Sequence, residues 1–428
     1  MKHGLKTALI AGCRTPFTRA GTTLKDLTAV ELGRIAVREV LAQSNLPGDV
    51  VDHLVFGTVV HDPRAPNIAR EVGLGVLPTS VPASTVSMAC ASANRAISDA
   101  TGLIELGQAH LAVAGGSESL SHIPILVSDR LSQTLVQVSK AKSLKDRMSA
   151  LSGVRPGDLV PQQPQIAEPS TGETMGEAAE RMAKENGISR EEQDGWALRS
   201  HRRAHIGLED GRLTAEIAPV YVPPEFDEVV ERDNGVRSDT NLEALANLRP
   251  AFDRDHGSIT AGNASPITDG GAAVVLMSEA AVKAHGVQPL AWIRSFAITA
   301  LDPGDQLLQG PAYAAPLALD RAGITMDDID VMEMHEAFAA QVLSNLQALD
   351  SDTFAREELG RSEKVGHPDP SRINVMGGSI ALGHPFGATG ARLTTTLARE
   401  LARQDGEFGL LTVCAAGGLG FAMVLQRA

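Results

Sequence analysis

The sequence predicts an α/β fold made of two similar halves, each a mixed sheet covered by helices and packed in layers, with a loop domain inserted in the first half. Two recurrences carry this prediction. A helical stretch at 26–44 leads through Pro47-Gly48 to the apolar strand Val51–Val59. Far downstream a helix at Ala312–Ala322, a turn at Gly323-Ile324-Thr325 and a strand at Ile329–Met334 repeat that order. In the second recurrence, helix Ala91–Leu106 precedes strand Ala109–Ala114 and the turn Gly115-Gly116-Ser117, while helix Gly390–Arg403 precedes strand Gly409–Val413 and the turn Ala416-Gly417-Gly418. The length, 428 residues, exceeds one ordinary core and fits two or three domains.

The elements follow in order. The N-terminal segment through Thr7-Ala8-Leu9-Ile10-Ala11-Gly12 holds no apolar region long enough for a secretory leader and reads as the first strand. Leu27, Val30, Leu32, Ile35, Ala36, Val40 and Leu41 fall on one face of the first helix. Gly271–Met277 and Gly420–Leu425 are apolar runs able to complete the two sheets. Residues 123–249 break the alternation and are rich in Pro, Ser and charge. A structureless loop of that length would be unusual, so a partly helical subdomain is expected. The expected division is 1–122 with 250–285 as the first half, 123–249 as the insertion on the substrate or partner side, and 286–428 as the second half.

Composition narrows the function classes. Hydrophobic residues at 43% and charged residues at 21% read as a soluble globular protein, and aromatics at 3% against 41 glycines imply close backbone packing. The net charge of −14 argues against a nucleic-acid partner and against broad attraction to anionic membranes. Three cysteines fit a reducing compartment better than a disulfide framework. No run approaches the roughly 18 apolar residues that span a bilayer, so a cytoplasmic location without a transmembrane segment is expected. One stretch inverts the local charge. Between 130 and 151, Arg130, Lys140, Lys142, Lys145 and Arg147 face only Asp146, with Leu131, Leu135, Val138, Leu144, Met148 and Leu151 near one helical face. It could receive phosphates, lie against a membrane, dock a partner, or be an ordinary solvated helix.

Four residues could carry chemistry. Cys90 lies where the strand pattern Ser84-Thr85-Val86 turns into a helix. A helix N-terminus favours thiolate, the reactive form, although a lone cysteine is more often a small buried apolar residue. His384, in Gly383-His384-Pro385, stands in a Gly-rich turn as a base suited to a thiol, or as a mere turn histidine. Cys414 ends a strand before Ala415-Ala416-Gly417-Gly418 and could serve as a second acid/base; otherwise it is a core residue. His335 ends another strand and could donate to an oxyanion, although on composition alone a satisfied buried histidine is the commoner case. The glycines form no G-x-G-x-x-G between a first strand and helix, and the cysteines form no C-x-x-C cluster. Neither a dinucleotide cofactor nor a metal is expected.

Taken together, these residues resemble the thiolase family over nearly the whole chain. The resemblance rests on the Cys90 segment, Gly115-Gly116-Ser117-Glu118-Ser119, Gly262-Asn263-Ala264-Ser265 with Thr268-Asp269-Gly270, the His335 segment, Gly383-His384-Pro385 and Cys414. Met88-Ala89-Cys90-Ala91-Ser92-Ala93-Asn94-Arg95-Ala96, Met334-His335-Glu336-Ala337-Phe338 and Cys414-Ala415-Ala416-Gly417-Gly418 are most similar to the β subunit of the fatty-acid oxidation trifunctional enzyme. The resemblance implies the thiolase fold of two βαβαβαββ halves. It also implies thiolytic cleavage of 3-oxoacyl-CoA by CoA through an acyl-Cys90 intermediate, as part of fatty-acid β-oxidation. His384 would be the base, Cys414 the second acid/base, His335 with His384 one oxyanion site, and the backbone N–H groups of Cys90 and Ala416 the other. Ser265, Met175, Phe338, Thr174 and Leu307 match positions that line the pantetheine and acyl path. CoA is a substrate, with no other cofactor implied. The implied partners are a second copy of the chain and, in an α2β2 complex, a hydratase/dehydrogenase α subunit; peripheral membrane contact is a further option.

The departures are informative. Short-chain biosynthetic members have Asn where this chain has His335, Gly where it has Ala416, and His where it has Thr174. The Ala416 position works through its N–H; the other two point away from a dedicated acetoacetyl-CoA enzyme working in the condensing direction. Ketoacyl synthases lack a second catalytic cysteine, so Cys414 argues against that relation. A silent scaffold subunit is disfavoured because all four polar positions hold competent residues.

Overall fold

The computed structural model describes residues 6–161 and 167–428. The first five residues of the N-terminal segment and 162–166 of the expected insertion lie outside the described residues. The first half runs through strand β1 (Thr7–Arg14), helix α1 (Ala29–Gln43), β2 (His53–Gly57), α2 (Ile68–Leu74), β3 (Ala83–Val86), α3 (Ser92–Glu105) and β4 (Leu111–Glu118). Helices α4 (Asp129–Lys140) and α5 (Leu144–Leu151) follow, then α6 (Met175–Glu185), α7 (Arg190–Glu209) and β5 (Thr268–Ser278). The second half contains β6 (Ala291–Ala300), α8 (Gly310–Ala322), β7 (Ile329–Met334), α9 (Ala339–Leu349), α10 (Thr389–Gln404), β8 (Phe408–Ala415) and β9 (Leu419–Arg427). Caps set several starts: Thr28 with Glu31 begins α1, and Ser189 with Glu192 begins α7, each pair exchanging side-chain and backbone hydrogen bonds.

The strand order is β7-β8-β9-β6-β1-β5-β4-β2-β3. Within the first half β2 pairs in parallel with β3 and β4, and β5 runs antiparallel to β4 and β1. The second half repeats this: β7 and β8 are parallel, and β9 is antiparallel to β8 and β6. Even the counterpart of β3 survives, as a single parallel bridge between Met332 and Ile373. Among the described residues the halves join edge to edge through the pairs Ala8–Trp292 and Leu9–Ala291.

Alternation along the strands builds the layers. Leu54, Phe56, Val113, Val275 and Met277 face α1 and α2, whereas Val55, Ala112, Val274 and Leu276 face inward. On the second half Met332, Leu410 and Val424 face α8 and α9, and Val331, Leu411 and Met423 face inward. The inward faces share one core with α3 and α10, whose Ile97, Ile104, Leu393, Leu397 and Leu401 are buried there. Each such side chain contributes roughly 1.5–3 kcal/mol of burial. The two central helices approach closely where a Cβ at Gly390 would lie 2.1 Å from Asn94 Oδ1.

The chain divides into two compact units, one formed by Met1–Ser121 together with Ala167–Ala428, the other by His122–Ile166. In the smaller unit Ser128 caps α4 and Ser143 caps α5, and extended Ala141 breaks the single helical face expected over 130–151. Leu135, Leu144, Met148 and Leu151 are exposed there. Among the described residues no helix is long and apolar enough to cross a membrane.

Candidate active site

The pseudo-repeat explains why distant residues meet. Cys90 precedes α3, His384 precedes α10, His335 follows β7 and Cys414 ends β8. Strand C-termini and the N-termini of the two central helices therefore converge, as they do at the binding crevices of open α/β sheets. Cys90, His335 and His384 each offer an atom within 4.8 Å of the others. No sequence spacing announced such a cluster, because the fold rather than a local motif assembles it.

Cys90 sits on a tight turn. Ala89 takes a left-handed φ of 45°, a conformation costing on the order of 1 kcal/mol for a residue with a Cβ. Ser92 Oγ accepts from Met88 N–H at 2.9 Å and donates to the Ala89 carbonyl at 2.7 Å, which holds the turn closed. Cys90 is partly exposed, while Cys13 and Cys414 are buried. The expectation that the helix start lowers the Cys90 thiol is overturned. Desolvation pushes it up to about 12, only partly offset by the N–H groups of Ala416 and of Cys90 itself, and Glu118 adds to the rise. The low-dielectric setting outweighs the partial charge of a helix end. Those same two N–H groups converge on the sulfur.

His384 is buried, with its backbone N–H donating to Thr268 Oγ1 at 3.0 Å and its Nδ1 2.6 Å from Thr389 Oγ1. Gly383 before it has φ 103° and would carry a Cβ 2.6 Å from Thr268 Oγ1, so a side chain there fails on both conformation and space. The loop after the histidine is tied to the first half. Buried Glu118 accepts from the N–H groups of Gly387, Val59 and Val60 at 2.9–3.0 Å and from Thr58 Oγ1 at 3.2 Å. A Cβ at Gly116 would lie 1.9 Å from the Gly387 carbonyl oxygen and one at Gly115 2.1 Å from that of Ala272, which explains the glycine pair in β4.

His335 is fully buried, its ring centroid 4.1 Å from that of His384. Its Nδ1 lies 3.1 Å from Ser379 Oγ, which accepts from Arg392 Nη2 at 3.1 Å, and Arg392 Nη1 reaches Glu333 at 3.2 Å. Burial lowers both imidazoles, His384 to about 3 and His335 well below the usual range, with Arg392 pushing each the same way. Both are neutral near pH 7. The Nε2 atoms of His335 and His384 are buried and make no hydrogen bond among the described residues. Glu336 beside His335 fastens the strand end, accepting from Trp196 Nε1, Ser200 Oγ and Asn374 Nδ2 at 3.0, 2.7 and 2.8 Å.

Cys414 belongs to an apolar cluster with Leu307 and Ala337, against which Met175 and Phe338 pack. Burial and the neighbouring Cys90 raise its thiol well above the usual value. Glu168 accepts from Gly417 N–H at 2.8 Å and braces the following turn. Ser265 is half-buried, and its N–H donates to the Ala337 carbonyl at 2.9 Å, beside the Ala264–Phe338 bridge. Thr174 stands at the start of α6. Its hydroxyl caps α6, accepting from Glu177 N–H and donating to the Glu177 carboxylate. Sequence reasoning assigned no part to Ser379, Thr389, Arg392, Glu333 or Glu118. Arg392, a charged residue set among small and apolar ones in α10, was the one visible signal.

Residues 7–280 match the family described as Thiolase, N-terminal domain, and residues 287–427 match Thiolase, C-terminal domain. The chain belongs to the thiolase family and has its two-half α/β fold. A 3-ketoacyl-CoA thiolase of Yersinia enterocolitica is 50% identical over 426 residues, covering 99% of this chain and 98% of the relative. A protein of the same description from Yersinia pseudotuberculosis matches to the same extent, 50% over 426 residues. Among solved structures, human mitochondrial 3-ketoacyl-CoA thiolase aligns with a TM-score of 0.85 at 32% identity, with 99% of each chain covered. The Bacillus anthracis acetyl-CoA acetyltransferase also aligns at 0.85 and 32%, covering 100% of each chain.

Proposed function

We propose that this chain is a 3-ketoacyl-CoA thiolase, an acetyl-CoA C-acyltransferase of fatty-acid β-oxidation. One observation carries the reading: two thiols and two unpartnered imidazole nitrogens meet in an enclosed site beside paired backbone donors. In the first half-reaction His384 takes the Cys90 proton as sulfur attacks the 3-oxo carbon. The Cα–Cβ bond breaks, its electron pair forms the acetyl-CoA enolate, and Cys414 protonates that carbon. In the second, the Cys414 thiolate takes the proton of CoA, whose sulfur attacks the acyl-Cys90 carbonyl. Cys90 leaves as thiolate and recovers its proton from His384. With a thiol raised to about 12 and an imidazole lowered to about 3, a resting ion pair is strongly disfavoured, so proton transfer accompanies C–S bond formation. His335 with protonated His384 holds the enolate oxygen; the N–H groups of Cys90 and Ala416 hold the acyl oxygen. Met175, Leu307, Phe338 and Ser265 line the acyl and pantetheine path, and Thr174 shapes it through the start of α6.

Intact-mass analysis after mixing with a long 3-oxoacyl-CoA and no free CoA tests this. An acyl adduct on the Cys90 peptide is expected, and folded protein that forms none refutes the mechanism. Cys414→Ala is expected to keep iodoacetamide labelling of Cys90 while abolishing turnover. An acetoacetyl-CoA thiolase working by condensation is the alternative, and a turnover series over acyl chain length separates the two.

The finer assignment belongs with the same proposal: the β subunit of a trifunctional complex, cytoplasmic, a homodimer, and in α2β2 form with a hydratase/dehydrogenase subunit. Support for self-association comes from β3, an edge strand (Ala83–Val86) without proline or charge. Light scattering and co-purification from the host test both levels. The exposed apolar and basic residues of 130–151 support peripheral contact with an anionic surface, testable with anionic against neutral vesicles. The division into 1–122 with 250–285, 123–249 and 286–428 is likewise proposed. The family boundary between 280 and 287 supports its second border, and limited proteolysis tests the extent of the insertion.

A further inference from the structure

The two active-site imidazoles sit close together, are both buried and are both neutral, yet the mechanism asks opposite things of them. His384 must present a lone pair at Nε2, and His335 must present an N–H there. A neutral imidazole carries one proton, so its Nδ1 partner decides which face it shows. The partners in this structure differ in kind.

Thr389 Oγ1 donates its only proton to the Pro385 carbonyl at 3.1 Å, since a carbonyl can only accept. With its proton on that carbonyl, Thr389 Oγ1 accepts at its 2.6 Å contact with His384, an arrangement in which the His384 proton lies on Nδ1 and Nε2 is a free base. Ser379 is constrained the other way. The Arg392 guanidinium has donors alone, so at 3.1 Å Ser379 Oγ accepts from it. Among the described residues the Ser379 hydroxyl has no other acceptor, so its proton goes to His335 Nδ1 at 3.1 Å and the His335 proton lies on Nε2. Arg392 is itself held by Glu333, both side chains fully buried. Both Nε2 atoms face the site without a partner.

We propose that Thr389 and the chain Ser379–Arg392–Glu333 are positioning residues that lock His384 and His335 in opposite tautomers, one a base and the other a donor. The assignment of the chemistry rests on the thiolase reading; the assignment of the protons rests on the hydrogen bonds alone. With the tautomers reversed, His384 could not receive the Cys90 proton and His335 would turn a lone pair toward the enolate oxygen. With them as assigned, His384 gains an Nε2–H on taking the Cys90 proton. The oxyanion site is then complete before Cα–Cβ cleavage places charge on the enolate oxygen, and no side chain has to rotate.

Nitrogen NMR of the histidine-labelled native enzyme reads the tautomers directly, with His335→Asn and His384→Asn used for assignment. The expected spectrum has His384 protonated at Nδ1 and His335 at Nε2; a shared tautomer overturns the proposal whether or not the enzyme is a thiolase. Kinetics give a second, independent readout. Thr389→Val is expected to slow Cys90 alkylation by iodoacetamide at pH 7 on the order of tenfold to a hundredfold and to alter its pH profile, with Thr389→Ser restoring both. Ser379→Ala is expected to leave alkylation within about threefold and to lower kcat of thiolysis on the order of tenfold to a hundredfold at near-constant KM. Equal losses of alkylation and turnover in both variants would indicate general disruption and overturn the division of roles. Lack of turnover in the native enzyme, with the tautomers as expected, would refute the thiolase reading and leave the proton assignment standing.

Discussion

A cysteine, two histidines and a second cysteine become a site here because each is denied its ordinary surroundings. In water a Cys–His pair near neutral pH exchanges a proton at modest cost; here burial pushes the Cys90 thiol to about 12 and His384 to about 3. The site therefore rests uncharged, and charge is created only with a carbonyl in place to receive it. His335 tests this view. Its buried Nε2 has no partner, so His335→Ala is expected to lower kcat by about 10²–10³, or about 3–4 kcal/mol of transition-state stabilisation, with KM little changed. Steady-state thiolysis measures the split, and a loss confined to KM would remove His335 from the oxyanion site. His384 and Cys414 were legible in the sequence through the glycine-rich turns around them, Cys90 as a thiol at a helix start and His335 as an imidazole at a strand end. Their hydrogen-bond partners were not, since Ser379, Thr389 and Arg392 lie in segments whose local pattern says only turn or helix.

At the scale of elements, the sequence located the framework closely. The helix expected at Ala312–Ala322 is found at Gly310–Ala322, and the strand at Ile329–Met334 is found unchanged. Those segments have clear periodicity and are ended by turn residues, so local forces and tertiary burial agree. The stretch 130–151 fared differently, because Ala141 interrupts what the apolar spacing suggested was one helical face. One close fit between elements is β4 against the loop after His384. Gly116→Ala would place a methyl 1.9 Å from the Gly387 carbonyl oxygen, a backbone atom that cannot rotate away. The expected cost is about 1–3 kcal/mol of stability, together with a drop in kcat as the His384 loop is displaced. Thermal unfolding and turnover measured on one preparation check both; unchanged values in both would mean that the loop yields freely.

At the scale of the whole molecule, buried ionisable groups set opposing pH dependences. His201, buried beside Arg237 and Arg19, is lowered to about 4. As pH falls below about 6.5 the unfolded chain takes up that proton before the native state does, and the stability linked to His201 is lost progressively down to about 4. Glu118 and Glu333, raised to about 7 and about 8 by burial, run the other way: the native state takes those protons first, and stability grows as pH falls toward about 4.5. The wild-type curve alone mixes these effects, so the useful readout is a difference. The stability advantage of wild type over His201→Gln, from urea unfolding at pH 7.5, 6.0 and 5.0, is expected to shrink by up to about 1.4 kcal/mol per pH unit below 6.5. A constant difference would mean that His201 titrates normally in the native state.

By itself, the sequence determined the α/β alternation, the doubling of one unit into two halves, and the four residues able to carry acyl transfer, because periodicity, turn chemistry and residue type act locally. Only the tertiary structure decided that Cys90 is a raised rather than a lowered thiol, that Thr174 is a helix cap, and which nitrogen of each imidazole faces the site. Desolvation and hydrogen-bond direction depend on what surrounds a group in space, and at this site those surroundings come from opposite halves of the chain.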